Sequence, residues 1–212
     1  MNTSYAVFTG DLVDSTEMSG IQIEGVFQQL DACVHSVAKE FDVEIIPVER
    51  FRGDGWQFGL SSPELSLRVC LLVRAAVKQV DKSLDSRISI GVGRASIGAS
   101  TGSSDGPAFL LSGRGLDSMS KRDRFRFDQD IEDRRLIDLI QATFGLADAL
   151  SSGWTVRQAE VFSLLGGRRE TTLREAAETD GTSYQQVQKL FARGDGPALN
   201  EAIRLFERSW QS

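Results

Sequence analysis

The sequence predicts an α+β fold, in which an antiparallel sheet with helices on one face is followed by an all-α C-terminal part. Apolar β-rich segments and amphipathic segments alternate in the order β-α-β-β-α-β, followed by one more helix and strand. Beyond about residue 130 only helical patterns remain. With 212 residues, 41% of them hydrophobic and 25% charged, the chain can bury a substantial core.

The N-terminal part consists of short segments with clear turn and cap signals. Asp54-Gly55 separates two β-rich runs and predicts the turn of a hairpin. Ser62 and Pro63 suit the N-cap and the first position of a helix. The predicted strands are 5–10, 43–52, 56–60, 87–93 and 124–127, and the predicted helices are 21–41, 62–80 and 107–119.

The change of pattern predicts the domain organisation. We expect a first domain at 1–130, a connector helix at 131–152 and a helical domain at 153–212. The helices expected in the last two parts are 131–150, 155–165, 173–179, 183–191 and 197–210.

Charge and composition exclude several classes of function. A net charge of −6 and a pI of about 4.9 argue against a general binder of polyanions. No N-terminal leader pattern and no apolar stretch long enough for a bilayer is present, so we expect a cytoplasmic protein without a membrane partner. Cys33 and Cys70 lack metal-binding spacing and predict buried, reduced thiols.

Two aspartates are the first candidates for a functional site. Asp11 and Asp54 each follow a β-rich segment, so neighbouring strands can bring both carboxylates to one edge of the sheet. Paired carboxylates suit a hard divalent ion such as Mg²⁺, which also binds phosphate oxygens. The alternative is that each aspartate only shapes its own turn.

Four motifs, in order, resemble those of class III nucleotidyl cyclases. Residues 10–16 are similar to the metal-binding FADIVGST segment, 50–55 to the KTIGDG hairpin, 87–93 to the RIGIHTG strand and 106–116 to the GDAVNLAARL helix. The chain also resembles the SatD family, which joins a cyclase-like region to a C-terminal helix-turn-helix. The resemblance implies a ferredoxin-like sheet of the class III cyclase type.

The cyclase resemblance also implies roles for individual residues. Asp11 and Asp54 would be the metal ligands for Mg²⁺ or Mn²⁺, and Arg114 the catalytic cation that binds phosphate. The turn at Ser15-Thr16 would bind the nucleoside triphosphate through backbone N–H groups. Cyclase sites form across a homodimer, so the resemblance also implies a homodimer.

Other positions depart from the cyclase pattern. Leu110 stands in place of the catalytic asparagine, which argues against efficient cyclisation more than against binding. Arg50 stands in place of the purine-selecting lysine, and Ser103 in place of the second base-reading residue. Arg50 and Arg52 are expected on the strand face of Asp54, where they either bind phosphate or neutralise the aspartates.

The C-terminal part contains a helix-turn-helix pattern. Ala177, Gly181 and Val187 have the spacing at which a small residue, a left-handed turn and a buried β-branched residue let two helices cross. The pattern resembles that of bacterial regulators. The residues expected to face the DNA major groove are Ser183, Tyr184, Gln185, Gln186 and Lys189.

The charge of this part leaves a second interpretation open. From Ser151 onward there are eight Lys and Arg residues and eight Asp and Glu residues. Because phosphate contacts supply most non-specific DNA affinity, a neutral module binds DNA weakly unless it dimerises. A helical module that binds protein is the alternative.

These observations predict a homodimeric regulator, in which a nucleotide- and metal-binding domain is joined to a module for double-stranded DNA. The first alternative is an active cyclase that makes a cyclic nucleotide. The second is an interaction scaffold without a ligand.

Overall fold

The computed structural model describes residues 4–51, 53–98, 100–131 and 133–210. The predicted α+β class is confirmed, with one five-stranded sheet in the order β2-β3-β1-β4-β5. The strands are β1 (Ser4–Leu12), β2 (Ile45–Phe51), β3 (Gly55–Leu60), β4 (Ser86–Arg94) and β5 (Phe125–Gln129).

The sheet is mixed, so the prediction of a wholly antiparallel sheet is wrong at one edge. Strand β1 pairs antiparallel with both β3 and β4, but β5 lies parallel to β4. The helix between β4 and β5 returns the chain to the end at which β4 began, and such a crossover produces a parallel pair.

The helices lie close to their predicted positions. They are α1 (Gly20–Phe41), α2 (Ser66–Val80), α3 (Pro107–Ser118), α4 (Arg134–Ser151), α5 (Val156–Gly166), α6 (Leu173–Asp180), α7 (Tyr184–Arg193) and α8 (Gly196–Ser209). Pro63 begins a short 3₁₀ turn ahead of α2, and the Ser62 side chain makes no capping hydrogen bond. Among the described residues, no helix combines the length and the apolar character needed to cross a membrane.

Helices cover both faces of the sheet, so the prediction of helices on one face is wrong. Phe8 points to the main core, while its neighbour Thr9 points to the opposite face and donates a hydrogen bond to Ser112 of α3 at 2.8 Å. Gly91 of β4 lets α3 approach, because a Cβ atom there would lie 2.2 Å from the carbonyl oxygen of Ala108. A helix can pack this closely only where the strand lacks a side chain.

Helix α2 lies at the centre of the molecule. It contacts α1, α4, α5 and α8 as well as the sheet, and nearly all its residues are buried. Buried apolar residues from the sheet and from α4, α5 and α8 belong to one continuous cluster. A smaller cluster joins α5, α6 and α7. The predicted domain limits at residues 130 and 152 stay predictions.

Arg74 of α2 is fully buried and links three parts of the chain. Its guanidinium binds Asp85, which precedes β4, with both nitrogen–oxygen distances at 3.2 Å. On α4 it contacts the Asp148 carboxylate at 2.7 Å and donates to Ser151 Oγ at 2.8 Å. It also lies 4.3 Å from the ring centroid of Phe125. A buried cation needs such partners because its water shell has been removed.

We expect Arg74→Met to lower the free energy of unfolding by about 3 kcal/mol, because it removes the cation that pairs with Asp148 and leaves Asp85 with the weaker contacts to Arg124 and Lys78. Urea unfolding measures the change. The matched control is Arg204→Met, since Arg204 is exposed and pairs with exposed Glu201 one turn away on α8; this variant should unfold near the wild-type midpoint. Equal midpoints for the two variants would contradict the assigned role of Arg74.

Candidate functional site

The two predicted aspartates line one cleft at the end of the sheet. This acidic cleft has a volume of about 280 Å³ and is lined by Asp11, Leu12, Val13, Asp14, Asp54, Arg87 and Lys121. A backbone hydrogen bond brings the two aspartates to the same cleft: Leu12 N–H donates to the carbonyl oxygen of Asp54 at 3.3 Å. That bond holds the β2–β3 turn against the end of β1.

Asp11 forms an ion pair with Arg87 of the neighbouring strand β4. Arg87 Nε donates to Asp11 Oδ1 at 2.9 Å, and Nη2 donates to Oδ2. The hydrogen bond with Asp11 raises the pKa of Arg87, and the charges of Asp54 and Asp117 add to this increase, while desolvation opposes it. The carboxylate of Asp11 is therefore neutralised within the chain.

The sequence interpretation missed Arg87. It appeared there only as the first residue of a predicted strand, although β1 and β4 pair so that Asp11 lies directly opposite Arg87. The feature of the sequence that could have indicated Arg87 is its position as a charged residue at the start of an apolar strand. Its meaning depends on the pairing register, which single-sequence patterns do not fix.

Asp54 is held by the turn that follows β1. Ser15 Oγ donates to Asp54 Oδ2, and Ser15 begins a short 3₁₀ turn that includes Thr16. Asp14 precedes this turn in a left-handed conformation with φ of 52°, and its side chain makes no capping hydrogen bond. The N-cap of α1 is Ser19. The turn expected to bind phosphate therefore adjoins the acidic cleft.

The donor set of the acidic cleft fits a hard divalent ion. Among the described residues, no group of three or more His, Cys, Asp and Glu side chains is arranged to hold a metal. Mg²⁺ and Mn²⁺ do not require such a group, because one or two carboxylates with phosphate and water oxygens suffice. Asp11 and Asp54 would hold the ion, which would share the Asp11 carboxylate with Arg87 or compete with it.

A second cleft lies between α3 and the β2–β3 edge. This central cleft has a volume of about 340 Å³ and is lined by Thr9, Glu49, Arg50, Phe51, Gln57, Thr101, Gly102, Gly113, Leu116 and Asp117. The Glu49 carboxylate accepts hydrogen bonds from Thr101 N–H at 2.9 Å and Gly102 N–H at 3.1 Å. These bonds fix the Gly/Ser-rich loop beside the cleft. Ser103, the expected base-reading position, pairs with Ser100 instead.

Arg50 lines the central cleft and not the acidic cleft. Its guanidinium lies 4.6 Å from the ring centroid of Phe27 and donates to the carbonyl oxygen of Gly53. It therefore contacts the backbone of the turn that carries Asp54. Arg52, expected on the same strand face, lies outside the described residues.

Arg114 is exposed on α3 and lines neither cleft. Leu110, one turn earlier on the same helix, is 56% exposed. Side chains four residues apart lie on one helix face, so Leu110 and Arg114 share an exposed face of α3. The catalytic role of Arg114 stays a prediction that depends on a second subunit.

Helices α6 and α7 form the expected tight turn. Gly181 is left-handed with φ of 71°, Ala177 and Val187 are buried, and the Ser183 side chain accepts from Gln186 N–H at 3.3 Å. The five side chains expected to contact DNA, Ser183, Tyr184, Gln185, Gln186 and Lys189, are all exposed. Their contact with DNA stays a prediction.

The turn between α6 and α7 is tied to α5 by Arg157. Arg157 Nη2 donates to Asp180 Oδ2 at 2.6 Å and also pairs with Glu160. The hydrogen bond with Arg157 lowers the pKa of Asp180.

Comparison with known proteins gives a limited set of similarities. No protein-family model matches the sequence, and no curated protein matches it significantly. Among solved structures, the guanylyl cyclase Cya2 is 15% identical, with 55% of this chain and 71% of that chain covered and a TM-score of 0.40. A bacterial light-regulated adenylyl cyclase is 13% identical, with 66% and 80% covered and a TM-score of 0.44.

A third similar structure is the monomeric guanylyl cyclase domain of the RhoGC fusion protein from the aquatic fungus Blastocladiella emersonii. It is 15% identical, with 56% of this chain and 77% of that chain covered and a TM-score of 0.39. Each of these similarities covers only part of this chain.

Cys70 is buried as predicted, but Cys33 is only partly buried, so the prediction of burial is wrong for Cys33. Burial raises the pKa of Cys33 to about 12 and also raises the pKa of Cys70. At pH 8 both thiols are therefore protonated, although part of Cys33 reaches the surface. The thiolate is the reactive form.

We expect a thiol reagent at pH 8 to modify the folded protein at least about a hundredfold more slowly than the protein unfolded in urea. Mass spectrometry of the labelled protein over time measures both rates. Rapid labelling of Cys33 in the folded state would contradict the raised pKa.

Proposed function

We propose that the chain binds a nucleoside triphosphate together with a divalent ion such as Mg²⁺ or Mn²⁺. One observation carries the proposal: Asp11 and Asp54, from two different strand ends, line a single open cleft with Arg87 and Lys121. A polyphosphate bound through a metal ion requires carboxylates to hold the metal and cationic side chains to pair with phosphate oxygens. This cleft contains both kinds of group. The similarity of residues 10–16 and 50–55 to cyclase motifs supports the same ligand.

The residues of the cleft have separate roles in this proposal. Asp11 and Asp54 hold the ion, which neutralises part of the charge of the triphosphate. Arg87, once released from Asp11, pairs with phosphate oxygens, and Lys121 adds a second cation. The backbone N–H groups around Ser15 and Thr16 complete the anion site, as exposed turn amides do elsewhere.

Cyclisation of the bound nucleotide is the catalytic form of the proposal, and the cyclase-like motifs favour it. Arg114 of a second subunit would then bind the reacting phosphate. Leu110 offers no hydrogen bond where the cyclase pattern has asparagine, and the loss of one such donor commonly costs about 10²–10³ in rate. We therefore expect turnover to be slow compared with binding.

The second proposal concerns α6 and α7, which we infer to form a DNA-binding helix-turn-helix. The observation that favours it is the exposed N-terminal face of α7, with Ser183, Tyr184, Gln185, Gln186 and Lys189 around a left-handed Gly181 turn. In such modules the start of the second helix contacts base edges. Together the two proposals describe a nucleotide-responsive regulator.

Calorimetry with ATP and GTP, with and without Mg²⁺ or Mn²⁺, tests the nucleotide site. We expect metal-dependent binding by the wild type, and binding at least tenfold weaker in Asp11→Asn and Asp54→Asn, because each loses a charged ligand. Asp31→Asn, an exposed position on α1, is the control and should bind normally.

The outcomes separate the alternatives. Absence of binding by every triphosphate would contradict both the binding and the cyclase proposals and leave the interaction scaffold. If a triphosphate binds, product analysis after long incubation with it distinguishes binding from catalysis. A cyclic nucleotide formed by the wild type and not by Arg114→Ala would establish catalysis.

Selection from random duplex DNA at low salt tests the C-terminal module. We expect enrichment of a sequence, and at least tenfold weaker binding to it by a Gln185→Ala, Gln186→Ala double variant, because each amide can contact a base edge. Gln28→Ala on the exposed face of α1 is the control. No enrichment at low salt, where phosphate contacts are strongest, would instead favour a protein-binding module.

A further inference from the structure

Helix α4 leaves an apolar face exposed on the side that adjoins α8. We name Leu136, Leu139, Thr143, Leu146 and Leu150 the leucine stripe. Its leucines are 45%, 68%, 68% and 40% exposed. Scattered exposed leucines are ordinary, but four of them on one face of one helix form a continuous surface.

The surface continues onto α8. Leu205 is 44% exposed, and a cleft of about 390 Å³ lies between it and the stripe. The cleft is lined by Leu139, Ile140, Thr143, Ala202, Leu205, Phe206 and Ser209.

The spacing of the stripe is that of a helix-packing seam. Successive members are separated by three, four, three and four residues, which is the seven-residue repeat of paired helices. Among the described residues, α4 packs on the core mainly through other positions, including Ile137, Phe144 and Ala147. The helix therefore has one face for its own core and a second face available to a partner.

The stripe is complementary to itself. Relative to Thr143, the leucines lie at −7, −4, +3 and +7. An antiparallel copy centred on Thr143 therefore places Leu139 against Leu146 and Leu136 against Leu150. A two-fold axis requires this reciprocity: if residue 139 of one copy contacts residue 146 of the other, then residue 146 of the first contacts residue 139 of the second.

The charges of α4 also suit an antiparallel copy. From Leu139 to Leu150 the charged residue is Asp148, which is already paired with buried Arg74. Arg134 and Arg135 are exposed in the first turn, and the last turn carries no basic residue. Antiparallel packing places these arginines beside the negative end of the partner helix dipole.

We propose that a second copy of this chain packs antiparallel on the leucine stripe, with the two-fold axis near Thr143. Helix α4, with 18 residues, is about 27 Å long. Stable interfaces commonly bury about 800 Å² on each partner, and the proposed interface includes the adjoining α8 surface at Leu205. This inference goes beyond the nucleotide site and does not depend on it.

Sedimentation of the full chain at micromolar concentration tests the proposal. We expect a dimeric wild type, and half its mass in Leu139→Asp and in Leu146→Asp, because a buried charge without a partner opposes packing. The control is Ile21→Asp, at an 87% exposed position on α1, which should keep the wild-type mass. A monomeric wild type, or a dimer that survives both stripe variants, would overturn the proposal.

A mixing experiment tests the antiparallel register without depending on the fold of one variant. Leu139→Lys and Leu146→Asp should each be monomeric alone, and together they should form a heterodimer in which Lys and Asp meet across the seam. Parallel packing places position 139 against position 139, so the mixture would stay monomeric and the proposal would fail. Nucleotide binding by the same variants should remain unchanged, which separates this surface from the acidic cleft.

Discussion

The buried guanidinium of Arg74 is the constraint on which the rest of the structure depends. It binds Asp85 ahead of β4 and Asp148 and Ser151 near the end of α4. Asp85 in turn holds the site, because its carbonyl oxygen accepts a hydrogen bond from Val13 N–H at 2.9 Å, two residues after Asp11. One cation therefore joins the central helix, the C-terminal helices and the strand end that carries the first aspartate. An unpaired charge in this position would be strongly unfavourable, so the partners are held together.

A second cation on α2 extends the same principle towards the C-terminus. Arg68 pairs with Glu207 of α8 through two hydrogen bonds at 2.6 and 3.0 Å and donates to the carbonyl oxygen of Gly166 at the end of α5. Its guanidinium also lies 5.1 Å from the ring centroid of Phe41. The helices proposed to bind DNA thus follow elements that are anchored on the core of the sheet. Packed contacts therefore connect the sheet with these helices. Coupling between the two parts would require these contacts to have two alternative arrangements.

Charge balance also organises the acidic cleft. Two aspartates at one strand edge repel each other, and Arg87 relieves this repulsion by binding Asp11, while Ser15 binds Asp54. In the proposed complex, the divalent ion would take the place of Arg87 beside the Asp11 carboxylate. The phosphate oxygens would take the place of that carboxylate beside Arg87. The charges of the cleft are therefore balanced within the chain, and the proposed ligand would keep that balance. The glycines of β4 contribute separately, because they let α3 lie against the sheet and form the wall of the central cleft.

The sequence by itself determined the positions of most helices and strands, because apolar periodicity and turn residues act locally. It also predicted that Asp11 and Asp54 lie at one edge of the sheet, because each follows a β-rich segment, and it predicted the Gly181 turn from the spacing of Ala177 and Val187. Only the tertiary structure decided that β5 lies parallel to β4, that α3 covers the second face and that Arg87 lies opposite Asp11. These features depend on strand register and on helix packing against glycine, which join residues far apart in the chain. The tertiary structure also decided the exposure of the leucine stripe, because periodicity alone does not show which face of α4 packs on the core.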